Sequence, residues 1–139
     1  MAPSLSSRGG RSALLRFATS ERVKAILLNV VEKGTGKPAA IPGYSVAGKT
    51  GTSEKIDPRT GKYQNGKSVA SFVGFFPSAK PQYVILVVLD NPKGLTFGGE
   101  TAAPAFREIA RKIITQKGLR PEAPVPDPKN QPPAVPVSD

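Results

Sequence analysis

Tyr83 to Leu89 is an unbroken run of β-branched, leucine and aromatic side chains, and it constrains the fold more than any other stretch. Its core, Val84 to Leu89, is strand-sized and far short of the ~20 apolar residues that cross a bilayer. Pro77 to Pro81 makes a tight turn before it, and Asn91-Pro92 with Gly94 ends it. A run without polar alternation predicts a strand covered on both faces. The chain must therefore build a sheet around this segment.

Two further strands are expected beside it. Ser68 to Phe76 is one, and Tyr44 to Thr52, with small residues on one side, is the other. Between them, Ser53 to Lys67 is polar and holds Asp57-Pro58 and Asn65-Gly66, so it reads as a long connection. Helical periodicity flanks the strands. Thr19 or Ser20 can N-cap a helix with Glu21 in its first turn. Val23, Ile26, Leu27, Val30 and Val31 then form one inward stripe, and Gly34 stops it. A second stripe runs through Phe106, Ile109, Ala110, Ile113 and Ile114 to Gly118. Short connections between strands favour antiparallel neighbours in sequential order. The expected class is α+β: an antiparallel sheet of three strands with amphipathic helices packed on it.

The ends differ from this middle. Residues 1–18 carry Arg8, Arg11 and Arg16, no acid and many small residues, and read as a basic arm without fixed structure. Residues 19–118 are the expected folded part. Residues 119–139 are Pro-rich and read as an extended, solvated tail. No segment predicts a signal peptide or a membrane span, so the chain as written is expected to stay in the cytoplasm.

Cysteine and histidine are both absent. Thiolate nucleophiles, imidazole bases and most transition-metal sites go with them, and no cofactor is expected. Chemistry must come from Lys, Ser, Thr, Tyr or carboxylates. The net charge of +10 admits an anionic partner such as nucleic acid or anionic lipid. Apart from the arginine arm, however, the basic residues are scattered, and aromatics do not interleave with them. No specific nucleic acid is expected.

Two motifs compete for one lysine. Gly43-Tyr44-Ser45-Val46-Ala47-Gly48-Lys49-Thr50 fits the phosphate-binding pattern G-x-x-x-x-G-K-T, and Val84 to Leu89 followed by Asp90 imitates its magnesium-holding strand. A phosphate loop needs a buried strand before its first glycine and a helix opening at Lys-Thr. Here loop residues Pro38 to Pro42 precede it, and Gly51, Thr52, Ser53 and Asp57-Pro58 follow. The nucleotide-binding reading, using Gly43 to Thr50, stands as the alternative.

The other reading takes Lys49-Thr50-Gly51-Thr52 as a K-T-G element. Around it lie Glu32-Lys33-Gly34-Thr35-Gly36, Pro42 to Gly48, Ala70-Ser71-Phe72-Val73-Gly74-Phe75-Phe76-Pro77, Asp90-Asn91-Pro92, Gly98-Gly99 and Ala102-Ala103-Pro104-Ala105-Phe106. Over residues 19–118 this set resembles the C-terminal part of the transpeptidase domain of class B penicillin-binding proteins, in the division-specific branch. The resemblance implies peptidoglycan D,D-transpeptidation, with stem peptides and β-lactams as ligands, in a parent anchored in the inner membrane with its catalytic domain outside the cytoplasm. It also implies roles. Lys49 and Thr52 would be catalytic. Lys49, Thr50, Gly51 and Thr52 would bind substrate, the Thr hydroxyls holding a carboxylate and the Thr52 N–H supplying half of an oxyanion hole. Ala47, Gly48 and Gly51 would let a ligand approach the backbone.

Two family elements are not in this sequence. No serine has lysine three residues on, so there is no Ser-x-x-Lys nucleophile. Ser-x-Asn is also missing, and Tyr63-Gln64-Asn65 reads as turn chemistry. In the family both elements precede K-T-G. The chain reads as a fragment that needs the rest of its domain, inactive on its own.

Overall fold

A computed structural model describes residues 16–94 and 96–122. Most of the basic arm and of the Pro-rich tail lies outside the described residues. The order is helix α1 (Phe17–Glu32), a 3-10 turn (Lys37–Ala39), strands β1 (Ala47–Ile56), β2 (Tyr63–Phe76) and β3 (Tyr83–Asp90), then helix α2 (Ala102–Lys117). The strands form one antiparallel sheet in the order β1-β2-β3. This is the expected α+β arrangement.

Register assigns the two faces, because side chains alternate along a strand. Thr50 sits opposite Phe72, which sits opposite Val87. One face therefore carries Gly48, Thr50 and Thr52, then Ala70, Phe72, Gly74 and Phe76, then Ile85, Val87 and Leu89. Helix α2 covers it. Phe72, Phe76 and Phe106 are fully buried, with Ala102, Ala103 and Ala110 packed among them. Phe106 meets Phe72 edge to face at 4.9 Å and Phe76 at 6.3 Å, the arrangement that aromatic quadrupoles favour. Gly118 closes α2 at φ 60°, a left-handed cap natural to glycine.

The opposite face carries Lys49, Gly51 and Ser53, then Val69, Ser71, Val73 and Phe75, then Val84, Leu86 and Val88. Helix α1 runs beside β1 and covers only part of this face, reaching Phe75 and Val84. Here several expectations are corrected. β3 is buried on one face only: Val84, Leu86 and Val88 are exposed, while Val87 is buried. In α1, Val31 is buried and Leu27 and Val30 are half-buried, but Ile26 is exposed, and Val23 faces Phe75 and Val84 across an open apolar groove that leaves it 42% exposed, since no further element among the described residues covers it. In α2, Ile109 is 42% exposed, since Phe106 and Ala110 occupy the contact line with the sheet.

Boundaries also move. Helix α1 begins at Phe17, a turn ahead of the expected cap, and no side chain caps it. Strand β1 starts at Ala47, while Tyr44 forms an isolated bridge with Ile41. The expected long connection over 53–67 is mostly strand, and the true turn is residues 57–62. Asp57 builds that turn: its carboxylate accepts from Arg59 N–H and its carbonyl from Gly61 N–H, both at 2.8 Å. Residues 119–122 dock beside the start of β1. Tyr44 Oη donates to Leu119 O at 2.7 Å, and the Glu122 carboxylate accepts from Ser45 N–H and Oγ, both at 2.6 Å.

Candidate functional site

Among the described residues, strand β1 is an edge of the sheet, paired with β2 alone. Lys49-Thr50-Gly51-Thr52 lies in its middle, where register fixes each position: Lys49 opposite Val73, Thr50 opposite Phe72, Gly51 opposite Ser71 and Thr52 opposite Ala70. Alternation sends Thr50 and Thr52 to the α2 face, and Lys49 and Gly51 to the other. Lys49 is exposed, and its long stem bends back along the strand. Its Nζ donates to Thr50 O at 2.9 Å and reaches Thr50 Oγ1 at 3.4 Å. The ammonium and the Thr50 hydroxyl thus meet despite their opposite starting faces.

Two loops frame these side chains. One is the turn after α1, where Thr35 Oγ1 lies 3.1 Å from Thr50 Oγ1. The other precedes α2, where Gly98 N–H donates to Thr52 Oγ1 at 3.2 Å. Gly98 presses directly on β1 and β2: a Cβ there would overlap the carbonyl oxygens of Ser71 and Gly51, so only glycine permits the approach. Together the loops and strand outline an open groove of about 420 Å³, lined by Thr35, Pro38, Thr50, Thr52, Phe97 and Glu100 among others. It offers hydroxyls from three threonines, with the Lys49 ammonium beside Thr50 and the Glu100 carboxylate also in its lining. Such a set suits an anionic ligand with several acceptor atoms, as a carboxylate has.

The small residues of β1 serve the interior as much as the groove. Ala47 and Gly48 are buried, and a Cβ on Gly48 would sit 2.5 Å from the Phe72 ring. Gly51 is half-buried, with Ser71 Oγ 2.5 Å from where its Cβ would be. Tyr63-Gln64-Asn65 is strand and not turn; it opens β2, with Tyr63 opposite Ile56 at the far end of the hairpin from Lys49. The phosphate-loop alternative is overturned here: β1 runs straight through Lys49 and Thr50, so no helix N-terminus exists to receive a phosphate. Asp90, the apparent magnesium ligand, pairs with Lys55 instead. Thr35 belongs to the Glu32 to Gly36 run that carries the resemblance, yet nothing in sequence assigns it a role. Its place beside Thr50 arises from tertiary contact across 15 residues.

Comparison with known proteins agrees with this geometry. Residues 16–111 match the family model described as penicillin binding protein transpeptidase domain. Stage V sporulation protein D of Bacillus subtilis is 42% identical over 104 residues, covering 74% of this chain and 16% of that protein. A probable peptidoglycan D,D-transpeptidase FtsI of Caulobacter vibrioides is 38% identical over 123 residues, covering 80% and 21%. Among solved structures, the transpeptidase domain of FtsI4 D,D-transpeptidase from Legionella pneumophila matches with a TM-score of 0.64 at 41% identity, over 76% of this chain and 38% of that one. Penicillin binding protein 3 of Mycobacterium tuberculosis, complexed with ampicillin, matches with a TM-score of 0.67 at 36% identity, over 85% and 27%. The chain thus spans about a sixth to a fifth of these curated relatives' length.

Proposed function

This chain belongs to the penicillin-binding protein transpeptidase family and is a partial transpeptidase domain, and on that footing we propose that its K-T-G strand is the carboxylate-holding wall of a peptidoglycan D,D-transpeptidase site. The observation that carries the reading is the meeting of Lys49 Nζ with Thr50 Oγ1 at 3.4 Å beside a groove that Thr50 and Thr52 line. Lys49 supplies a fixed positive charge. The Thr50 and Thr52 hydroxyls hold the terminal carboxylate of an acyl-D-Ala-D-Ala peptide or of a β-lactam. Gly51 presents backbone in place of a side chain. The Thr52 N–H completes half of an oxyanion hole.

The covalent steps need a serine that residues 1–139 do not supply in Ser-x-x-Lys form. In the assembled site its Oγ attacks the penultimate D-Ala carbonyl, the proton passing to a neighbouring base. The bond to the terminal D-Ala nitrogen breaks, and that residue leaves with the proton. An acceptor amine then attacks the acyl-serine ester and frees the serine. This chain contributes binding and charge stabilisation to that sequence, and the rest of the domain contributes the nucleophile. No helix among the described residues is long and apolar enough to cross a membrane. The intact protein holds the domain outside the cytoplasmic membrane, where peptidoglycan is built.

Titration of the ¹⁵N-labelled chain with N-acetyl-D-alanyl-D-alanine tests the wall directly. Amide shifts concentrated at Lys49 to Thr52, absent with the C-terminal amide of the same dipeptide, are expected. Equal responses to acid and amide, or none near β1, would remove the reading.

A further inference from the structure

Thr35 sits in the turn that closes α1. It stands between Gly34 and Gly36, whose N–H groups donate to the same carbonyl, Val30 O, at 3.1 and 2.9 Å. That double contact fastens the turn to the end of α1. From there Thr35 Oγ1 reaches Thr50 Oγ1 at 3.1 Å. Gly99 closes the third side: a Cβ on it would lie 2.5 Å from Thr35 O and 3.6 Å from Thr50 Cγ2. The two threonines are therefore pressed together by backbone on either side.

Proton counting gives this contact a direction. Each hydroxyl has one proton to donate, and an ammonium can only donate. Lys49 Nζ, at 3.4 Å, therefore addresses a lone pair of Thr50 Oγ1. Of the two hydroxyls, one donates to the other. If Thr50 donates to Thr35, its proton is consumed, and an arriving carboxylate meets only lone pairs. If Thr35 donates to Thr50, the Thr50 proton is left free. A carboxylate only accepts, so it selects the second arrangement.

We propose that Thr35 is a positioning residue for the K-T-G wall: it donates its hydroxyl proton to Thr50 Oγ1 and so presents the Thr50 O–H as a donor to the ligand's terminal carboxylate. This rests on the carboxylate-wall reading above and deepens it. Thr35→Ser keeps the donor. Thr35→Val keeps the shape and cannot donate. Thr35 is exposed and Thr50 half-buried, so water competes for the bond and the effect is moderate. Loss of one such bond to a ligand-bearing hydroxyl corresponds to about threefold to tenfold in Kd.

The test uses the ¹⁵N,¹³C-labelled chain of residues 1–139 and N-acetyl-D-alanyl-D-alanine as probe. Two quantities are read: Kd from the amide shifts of Lys49 to Thr52, and the Thr50 χ1 distribution from three-bond couplings to Cγ2 before probe is added. The expected result is a single Thr50 rotamer and equal Kd in wild type and Thr35→Ser. Thr35→Val is expected to show averaged Thr50 couplings and a Kd about threefold to tenfold weaker, with shifts elsewhere unchanged. If wild type binds and Thr35→Val binds equally well, the positioning role is overturned and the wall reading stands. If wild type shows no response at β1, the wall reading fails and the donor role falls with it. If Thr50 already averages in wild type, the claim that Thr35 holds it is overturned whatever the probe does.

Discussion

Replacing Phe106 by alanine is expected to remove much of the stability of this fold. Phe106 is fully buried and joins α2 to the sheet, its ring contacting Phe72 at 4.9 Å and Phe76 at 6.3 Å. Beneath it lies Gly74, where a Cβ would approach the ring to 2.8 Å, so that position has no side chain to move into the space the ring would leave. Deleting a buried phenylalanine costs about 3–5 kcal/mol, which includes a cavity term. Whole domains are stable by only about 5–15 kcal/mol. Phe106→Leu, which retains most of the volume, should cost roughly 1–1.5 kcal/mol. Ile109→Ala, on the same helix but 42% exposed, should cost about 1 kcal/mol or less. Urea titrations followed by far-UV circular dichroism give the order directly: the midpoint falls most for Phe106→Ala, less for Phe106→Leu and least for Ile109→Ala. An unchanged midpoint for Phe106→Ala, or a larger fall for Ile109→Ala, would refute the packing of α2 on this face.

Other outcomes are expected. Gly98→Ala, whose Cβ would overlap the Ser71 and Gly51 carbonyls, should cost about 1–3 kcal/mol through overpacking and perturb the amide resonances of Gly51 and Ser71; a spectrum unchanged at β1 and β2 would contradict the close approach. The exposed row Val84, Leu86 and Val88 on the outer strand should make the chain self-associate with rising concentration, and sedimentation should show Leu86→Lys restoring monomer. Incubation with a fluorescent penicillin should leave no covalent band after denaturation, since no Ser-x-x-Lys is present; a stoichiometric band lost on mutation of one serine would show a nucleophile in this chain.

The legible parts of the fold were those where local chemistry and burial agree. Tyr83 to Leu89 and Ser68 to Phe76 were readable as strands, and their order followed from the tight turn between them. K-T-G was readable because its neighbours in sequence carry the resemblance with it. The 53–67 stretch was not readable as strand. It extends past the core, so its residues are polar on both sides and show no period-two pattern, although backbone pairing from Ser53↔Val69 to Ile56↔Tyr63 still holds it in the ladder. The exposure of Val84, Leu86 and Val88 was hidden for the opposite reason. An apolar run states that a face prefers cover, and composition cannot say whether residues 16–122 provide it. The same holds for Val23 and Ile26 on α1. Phe17 begins that helix without a side-chain cap, so no capping signal marked its true start. Thr35 and Gly98 enter the site through contacts with residues far away in sequence, which no local motif records.

The position of a bound carboxylate decides whether β1 is a carboxylate-holding wall. A crystal structure of the chain with N-acetyl-D-alanyl-D-alanine at millimolar concentration should place the terminal carboxylate within hydrogen-bonding distance of the Thr50 and Thr52 hydroxyls, with the Lys49 ammonium beside it. A carboxylate seated elsewhere, against the arginines and lysines of α2 for instance, with the groove at Thr50 and Thr52 empty, would show that β1 is not that wall.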